Sequence, residues 1–185
     1  MKLKKVILSA LVVVLLTTGI ALASSNVKVF VNGKNAGEIG EIINDTAYLP
    51  LRKVAEYLQA VVYYDSATKT ANIYKPNVHM FVYQEDNNLF GMVEKGANKK
   101  FKISAQADNV KFNVSSIRFT ITDPNNKETV LSTIKIENKS DVYWVTADDL
   151  RYRFSLKGDY IIKCYFKTDL GNEWDLVSEK YIPST

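Results

Sequence analysis

The sequence predicts a mainly β protein with one helix: a small α+β module, a sheet against that helix, followed by a two-sheet β-sandwich. Three observations predict it. Apolar and polar residues alternate along much of the chain, as the pleat of a half-buried strand requires. One stretch, beginning near Leu51, carries an apolar stripe of helical period. Turn signals such as Asn32-Gly33 and Asp123-Pro124 separate the apolar runs at strand-length intervals.

The elements of the first module, 24–76, follow in order. Val27, Val29 and Val31 alternate with Lys28 and Asn32, which reads as a strand. Asn32-Gly33 closes a tight hairpin, because both residues tolerate positive φ. Residues 36–43 return as a second strand, with an interruption expected at Gly40. Asn44-Asp45 turns the chain into a short extended piece, 46–49. Pro50 suits the first turn of a helix, where its missing N–H costs nothing. Leu51, Val54, Ala55 and Leu58 then form one apolar stripe, with Arg52, Lys53, Glu56 and Gln59 mostly on the other side. Residues 61–64 and 70–74 read as a final hairpin around Asp65-Ser66-Ala67-Thr68-Lys69, and Lys75-Pro76-Asn77 as a short joint.

The second module, 77–185, reads almost wholly as strands. Ile117, Phe119 and Ile121 alternate with Arg118 and Thr120, and Asp123-Pro124-Asn125-Asn126 is a type I turn signal. Residues 129–136 follow as a strand. In 141–146, Val142 and Trp144 share one face and Tyr143 and Val145 the other. Lys157-Gly158-Asp159 leads into Tyr160, Ile162, Cys164 and Phe166 on a single face, and Asp169-Leu170-Gly171-Asn172 turns into a last strand, 173–182. Short strands with turns at this spacing predict two packed sheets.

Two resemblances add to this reading. Val29-Phe30-Val31-Asn32-Gly33-Lys34, the string Thr46-Ala47-Tyr48-Leu49-Pro50-Leu51-Arg52-Lys53-Val54-Ala55-Glu56-Tyr57-Leu58, and Val62-Tyr63-Tyr64-Asp65 with Thr68-Lys69-Thr70-Ala71-Asn72-Ile73 resemble the copper amine oxidase N-terminal-like (stalk) domain over about residues 26–75. Gln59 stands where that family usually has Gly, and Tyr64 where it usually has Trp. The resemblance implies a stalk module carried by secreted and cell-surface bacterial proteins. It implies neither copper nor oxidase chemistry, which in the name-giving enzymes belongs to a separate large domain with several His ligands and a modified Tyr. The Gly158-Asp159-Tyr160 entry is similar to the penultimate strand of immunoglobulin-like and fibronectin-III-like sandwiches, so an immunoglobulin-like β-sandwich is expected. With one Cys in the chain, the disulfide of true immunoglobulin domains is excluded.

Residues 1–23 read as a signal peptide. Lys2, Lys4 and Lys5 precede an uncharged run from Val6 to Ala23 that ends in Ala21-Leu22-Ala23. That run is short for a membrane span, which needs about 20 apolar residues, and the small-residue ending favours cleavage after Ala23. No stable membrane span is then expected in the exported chain. The 185-residue sequence has 24 basic and 20 acidic residues; with the three signal lysines gone the net charge falls from +4 to +1. A near-neutral chain without a concentrated basic face is a poor binder of phosphate backbones, so no nucleic acid partner is expected.

Residues with chemical potential are few. A lone His79 in a strand lacks the companions that Zn or Cu draws on, so no metal site is expected. Cys164 alternates with large apolar residues and reads as a buried, inert thiol. The acid pairs Asp148-Asp149 and Glu85-Asp86 read as solvated loops, because sequence neighbours point different ways and glycoside hydrolysis needs two carboxylates facing across a cleft. Arg52 and Glu56 are spaced for a helical ion pair. Eleven Tyr, eight Phe and two Trp raise the question of sugar stacking; most belong to cores, with Tyr63, Tyr64, Tyr143 and Tyr165 the least core-like. No G-x-S-x-G, Gly-rich phosphate loop or H-E-x-x-H occurs. The expectation is therefore no catalytic residue, no cofactor and no enzyme activity. The chain reads as a secreted or envelope-associated module that contacts a wall polymer or an envelope protein. The alternatives are a small carboxylate-dependent glycan hydrolase and a protease inhibitor or sensor module.

Overall fold

The computed structural model describes residues 25–185 apart from Asn172; the expected signal segment, 1–23, lies outside the described residues. Strands dominate, all sheet pairings between them are antiparallel, and the chain divides between Leu49 and Pro50 into two compact units.

The first unit holds the meander β1 (Ser25–Val31), β2 (Lys34–Ile43) and β3 (Thr46–Tyr48). Its turns form where the sequence predicts them. Asn32 and Gly33 take φ of 50° and 76°, and Asn44 and Asp45 take 49° and 58°, so both hairpins close with two residues of positive φ, which suits the strand twist. β2 is not interrupted at Gly40. The ladder instead shifts register beside it and the strand stays continuous; a Cβ at Gly40 would lie 2.6 Å from the end of the Leu49 side chain and 3.1 Å from Val27, so a larger residue there would have to push Leu49 aside.

The second unit opens with α1 (Leu51–Tyr57) and the hairpin β4 (Val61–Asp65) and β5 (Thr70–Tyr74). Helix α1 is seven residues long, and its stripe is unevenly buried: Ala55 is buried and Val54 half-buried, whereas Leu51 and Leu58 are exposed. The helix leaves through Gln59 at φ 56°. Ala60 N–H donates to the Ala55 carbonyl (2.9 Å) and Gln59 N–H to that of Glu56 (3.0 Å), which is the Schellman arrangement normally built on glycine. The backbone thus takes the glycine conformation without the glycine. Lys75 Nζ secures this exit by donating to the Gln59 carbonyl at 3.0 Å.

The remaining strands are β6 (Asn77–Gln84), β7 (Asn98–Asp108), β8 (Val114–Thr122), β9 (Glu128–Lys135), β10 (Tyr143–Arg153), β11 (Gly158–Thr168) and β12 (Trp174–Ser184). They make two sheets, β10-β7-β6 and β12-β11-β8-β9. The inner faces are Val82, Phe101, Ile103 and Val145 on one sheet and Ile117, Phe119, Ile121, Ile162, Cys164 and Phe166 on the other, all within one buried cluster. This is the expected immunoglobulin-like sandwich. Strand β7 gives only a thin apolar signal in the sequence, because its inward residues Phe101, Ile103, Ala105 and Ala107 end in two small side chains.

Tyr160, fully buried at the start of β11, ties one end of the sandwich. Its hydroxyl accepts from Leu156 N–H (2.8 Å) and donates to the Leu156 carbonyl (3.3 Å). That is the tyrosine corner of immunoglobulin-like domains. Phe154 packs edge-on against the Tyr160 ring at 4.9 Å, and Phe90 against Phe154 at 5.6 Å. Gly158, at φ 124°, leads into the corner beside Pro124, whose ring would lie 3.2 Å from any Cβ there.

Candidate functional site

Alternation in β6, β7 and β10 sends one set of side chains into the sandwich and the other outward. Two rows of outward residues cross the three strands. Trp144, Gln106 and His79 are register partners in the first; Thr146, Ser104 and Phe81 are partners in the second. Trp144 is 70% exposed and Phe81 43%, the values expected of rings lying on an open face. In the next row Tyr83, half-buried, faces Lys102. Phe81 and Tyr83 stand 6.3 Å apart with their planes 30° from parallel. Lys102 Nζ lies 5.4 Å from the Tyr83 ring centre and donates to Asn87 Oδ1 at 2.7 Å, which fixes the edge of this platform. Between the rings, Ser104 and Thr146 hydroxyls are 3.1 Å apart. The result is an open face with aromatic rings on both outer strands and hydroxyl and amide groups along the centre.

Trp144, Phe81 and Tyr83 were not singled out from the sequence. On 142–146 both faces are apolar, so alternation separates the faces without saying which is inside. The continuation carries the signal: Thr146 and Asp148 follow Trp144, whereas Ala147 follows Tyr143 and Val145. Tyr143 is accordingly buried, contrary to its place among the least core-like rings; its hydroxyl accepts from Ser140 N–H at 3.2 Å. Of the other three, Tyr64 is exposed, Tyr63 is half-buried, and Tyr165 is half-buried with its hydroxyl donating to Glu128 Oε2 at 3.0 Å. Burial and the neighbouring Glu128 carboxylate push the Tyr165 phenol well above its ordinary range.

Of the two acid pairs, Glu85 and Asp86 lie in the exposed turn after β6, as expected, whereas Asp148 and Asp149 do not lie in a loop. Asp148 and Asp149 sit within β10 at a bulge, where Asp149 takes φ 56°. The bulge aims Asp149 at Lys100, whose Nζ lies 2.8 Å from Asp149 and 3.4 Å from Glu85. The hydrogen bond and charge of Lys100 hold the Asp149 carboxyl below the usual range. A glycosidic general acid needs the opposite shift. His79 stands exposed on the β6 face, and Cys164 is fully buried, with burial pushing its thiol far up. Among the described residues no group of three or more His, Cys, Asp and Glu is placed to hold a metal, and no helix is long and apolar enough to cross a membrane.

Arg52 and Glu56 do not pair as their spacing suggests. Arg52 reaches Glu173 of the segment before β12 at 3.9 Å, and Lys53 takes Glu56 at 3.4 Å, because the short helix lies beside the outer face of β11 and β12. A cleft of about 380 Å³ opens there, lined by Arg52, Glu56, Lys163, Tyr165, Trp174 and Asp175 among others. Most of its charges are paired, Arg52 with Glu173, Lys53 with Glu56, and Lys163 Nζ 3.3 Å from Glu128, and the Arg118 guanidinium covers the Trp174 ring at 3.8 Å. Burial raises the Asp175 pKa, against the bond it accepts from Thr168.

Residues 30–91 match the family model described as the copper amine oxidase N-terminal domain, about a third of the chain and a non-catalytic part of those enzymes. No curated protein matches the chain. Of 17 matching chains of solved structures, one belongs to a study of the structural basis of T cell specificity and activation by the bacterial superantigen toxic shock syndrome toxin-1. It shares 13% identity over 58% of this chain and 100% of that one, at a TM-score of 0.31, a likeness too slight to carry any argument.

Proposed function

We propose that this protein is an exported, non-catalytic module of the bacterial cell envelope that contacts a wall polymer through the open face of the β10-β7-β6 sheet. One observation carries the reading. A Trp ring and a Phe ring lie exposed on the two outer strands of a three-stranded sheet, with hydrogen-bonding groups between them. Large exposed rings on a folded surface mark contact sites, and rigid strands hold them at little entropic cost. The signal-like first segment and the match to a stalk-like domain support the envelope setting. The paired state of Glu85, Lys100 and Asp149 supports a binding role over hydrolysis.

Co-sedimentation of the exported form of the chain with purified cell walls tests this. The wild type is expected in the pellet, and the double variant Trp144→Ala, Phe81→Ala in the supernatant with an unchanged melting temperature. Equal retention of the two would refute the assignment of the face, and glycan turnover lost on Asp149→Asn would refute the non-catalytic reading.

A further inference from the structure

Resting on that reading, we propose that the ligand of this face is an extended, uncharged, β-linked glycan that lies across the strands, with one sugar stacked on Trp144 and the next but one on Phe81. Geometry gives the direction. Trp144 on β10 and Phe81 on β6 are separated by the central strand and offset by one row. Two inter-strand steps of about 4.8 Å and one two-residue step of about 6.8 Å place the two positions on the order of 12 Å apart. In an extended β-linked chain, alternate sugars present the same face, so a chain crossing the sheet meets both rings with the intervening sugar over β7. Gln106 and Ser104 of β7 then meet that sugar's hydroxyls with an amide and a hydroxyl. A chain running along the strands would find rings only on β6, where Phe81 and Tyr83 are tilted 30° to one another, and would leave Trp144 unused.

Charge gives the ligand class. The two complete rows, Trp144-Gln106-His79 and Thr146-Ser104-Phe81, contain neither a carboxylate nor a Lys or Arg. The nearest cation, Lys102, is committed to Asn87 and the Tyr83 ring. An anionic polymer would need unengaged cations along its path, and a polycation would need carboxylates. A neutral sugar chain needs only ring faces and hydroxyl partners, and this surface offers both.

The test is calorimetric titration with chito- and cello-oligosaccharides of one to six units, alongside an anionic oligosaccharide of equal length. In at least one neutral series, affinity is expected to rise about tenfold or more between the disaccharide and the trisaccharide, where both rings are first engaged by one molecule. It is expected to change little beyond the tetrasaccharide. Trp144→Ala should abolish that step while the weak disaccharide binding through Phe81 persists. Affinity independent of length, preference for the anionic chain, or no binding of either neutral series would overturn the inference. Wall retention persisting in those cases would leave the broader reading intact, whereas loss of wall retention in the wild type would remove both.

Discussion

Replacing Tyr160 by Phe keeps the ring and removes one oxygen, so it isolates the contribution of the tyrosine corner. The hydroxyl makes two bonds to one residue: it accepts from Leu156 N–H at 2.8 Å and donates to the Leu156 carbonyl at 3.3 Å. The first is of ordinary length and the second long. Taking a net contribution of about 1 kcal/mol for the first and about half that for the second gives a loss of about 1.5 kcal/mol. Leu156 is half-buried, so water reaches its backbone in the variant and the full penalty of an orphaned group does not apply. For a chain of this size such a loss lowers the melting temperature by about 3–6 °C. Both tryptophans, Trp144 and Trp174, lie in the second unit, so their fluorescence in a urea titration follows that unit's unfolding. The midpoint should fall with an unchanged slope, since the exposed area is the same. The control is Tyr64→Phe on an exposed ring, expected within about 0.5 kcal/mol of wild type. A Tyr160→Phe loss inside that same margin would refute the argument and leave ring packing as the whole contribution of this residue.

Gln59→Gly should stabilise by about 0.5–1 kcal/mol, because the left-handed conformation costs an L-residue about 1–2 kcal/mol and glycine returns part of that gain as chain entropy. Denaturant midpoints of Gly and Ala variants check it: Gly should gain and Ala should not, and a gain in both would show that strain is not the cause. Cys164 should resist thiol reagents in the native protein and react at once in denaturant, and Cys164→Ser should cost about 1–3 kcal/mol by burying a hydroxyl without a designed partner. Native-state labelling at the unfolded rate would show the site to be open. Asp175 has its folded pKa raised by burial, so the folded state holds its proton more tightly than the unfolded one. Its destabilising effect is absent below the unfolded pKa, grows as pH rises, and is complete above the folded pKa. Asp175→Asn should therefore gain relative to wild type at neutral pH and lose that advantage on acidification, measured by melting temperature against pH; a relative gain that grows in acid would reverse the assignment.

Local order was legible in the residues because it is set by local geometry. Asn32-Gly33 and Asn44-Asp45 turn the chain because each pair accepts positive φ, and the faces of 141–146 separate because side chains alternate along a pleated strand. The Gly158-Asp159-Tyr160 entry pointed to a sandwich strand only by its resemblance to such domains; that Tyr160 ties a corner through Leu156 is what the structure adds. What the sequence left open was every pairing between distant segments. Which of two apolar faces on β10 turns inward depends on what β7 and the opposing sheet present. Lys100 gathers Glu85 and Asp149 only because a bulge in β10 shifts register, and Arg52 finds Glu173 instead of Glu56 because the helix lies beside β11 and β12. Trp144 and Phe81, 63 residues apart in the sequence, share one surface only through the hydrogen-bonded register of three strands. Periodicity is a property of one strand, whereas register is settled by the packing of all of them.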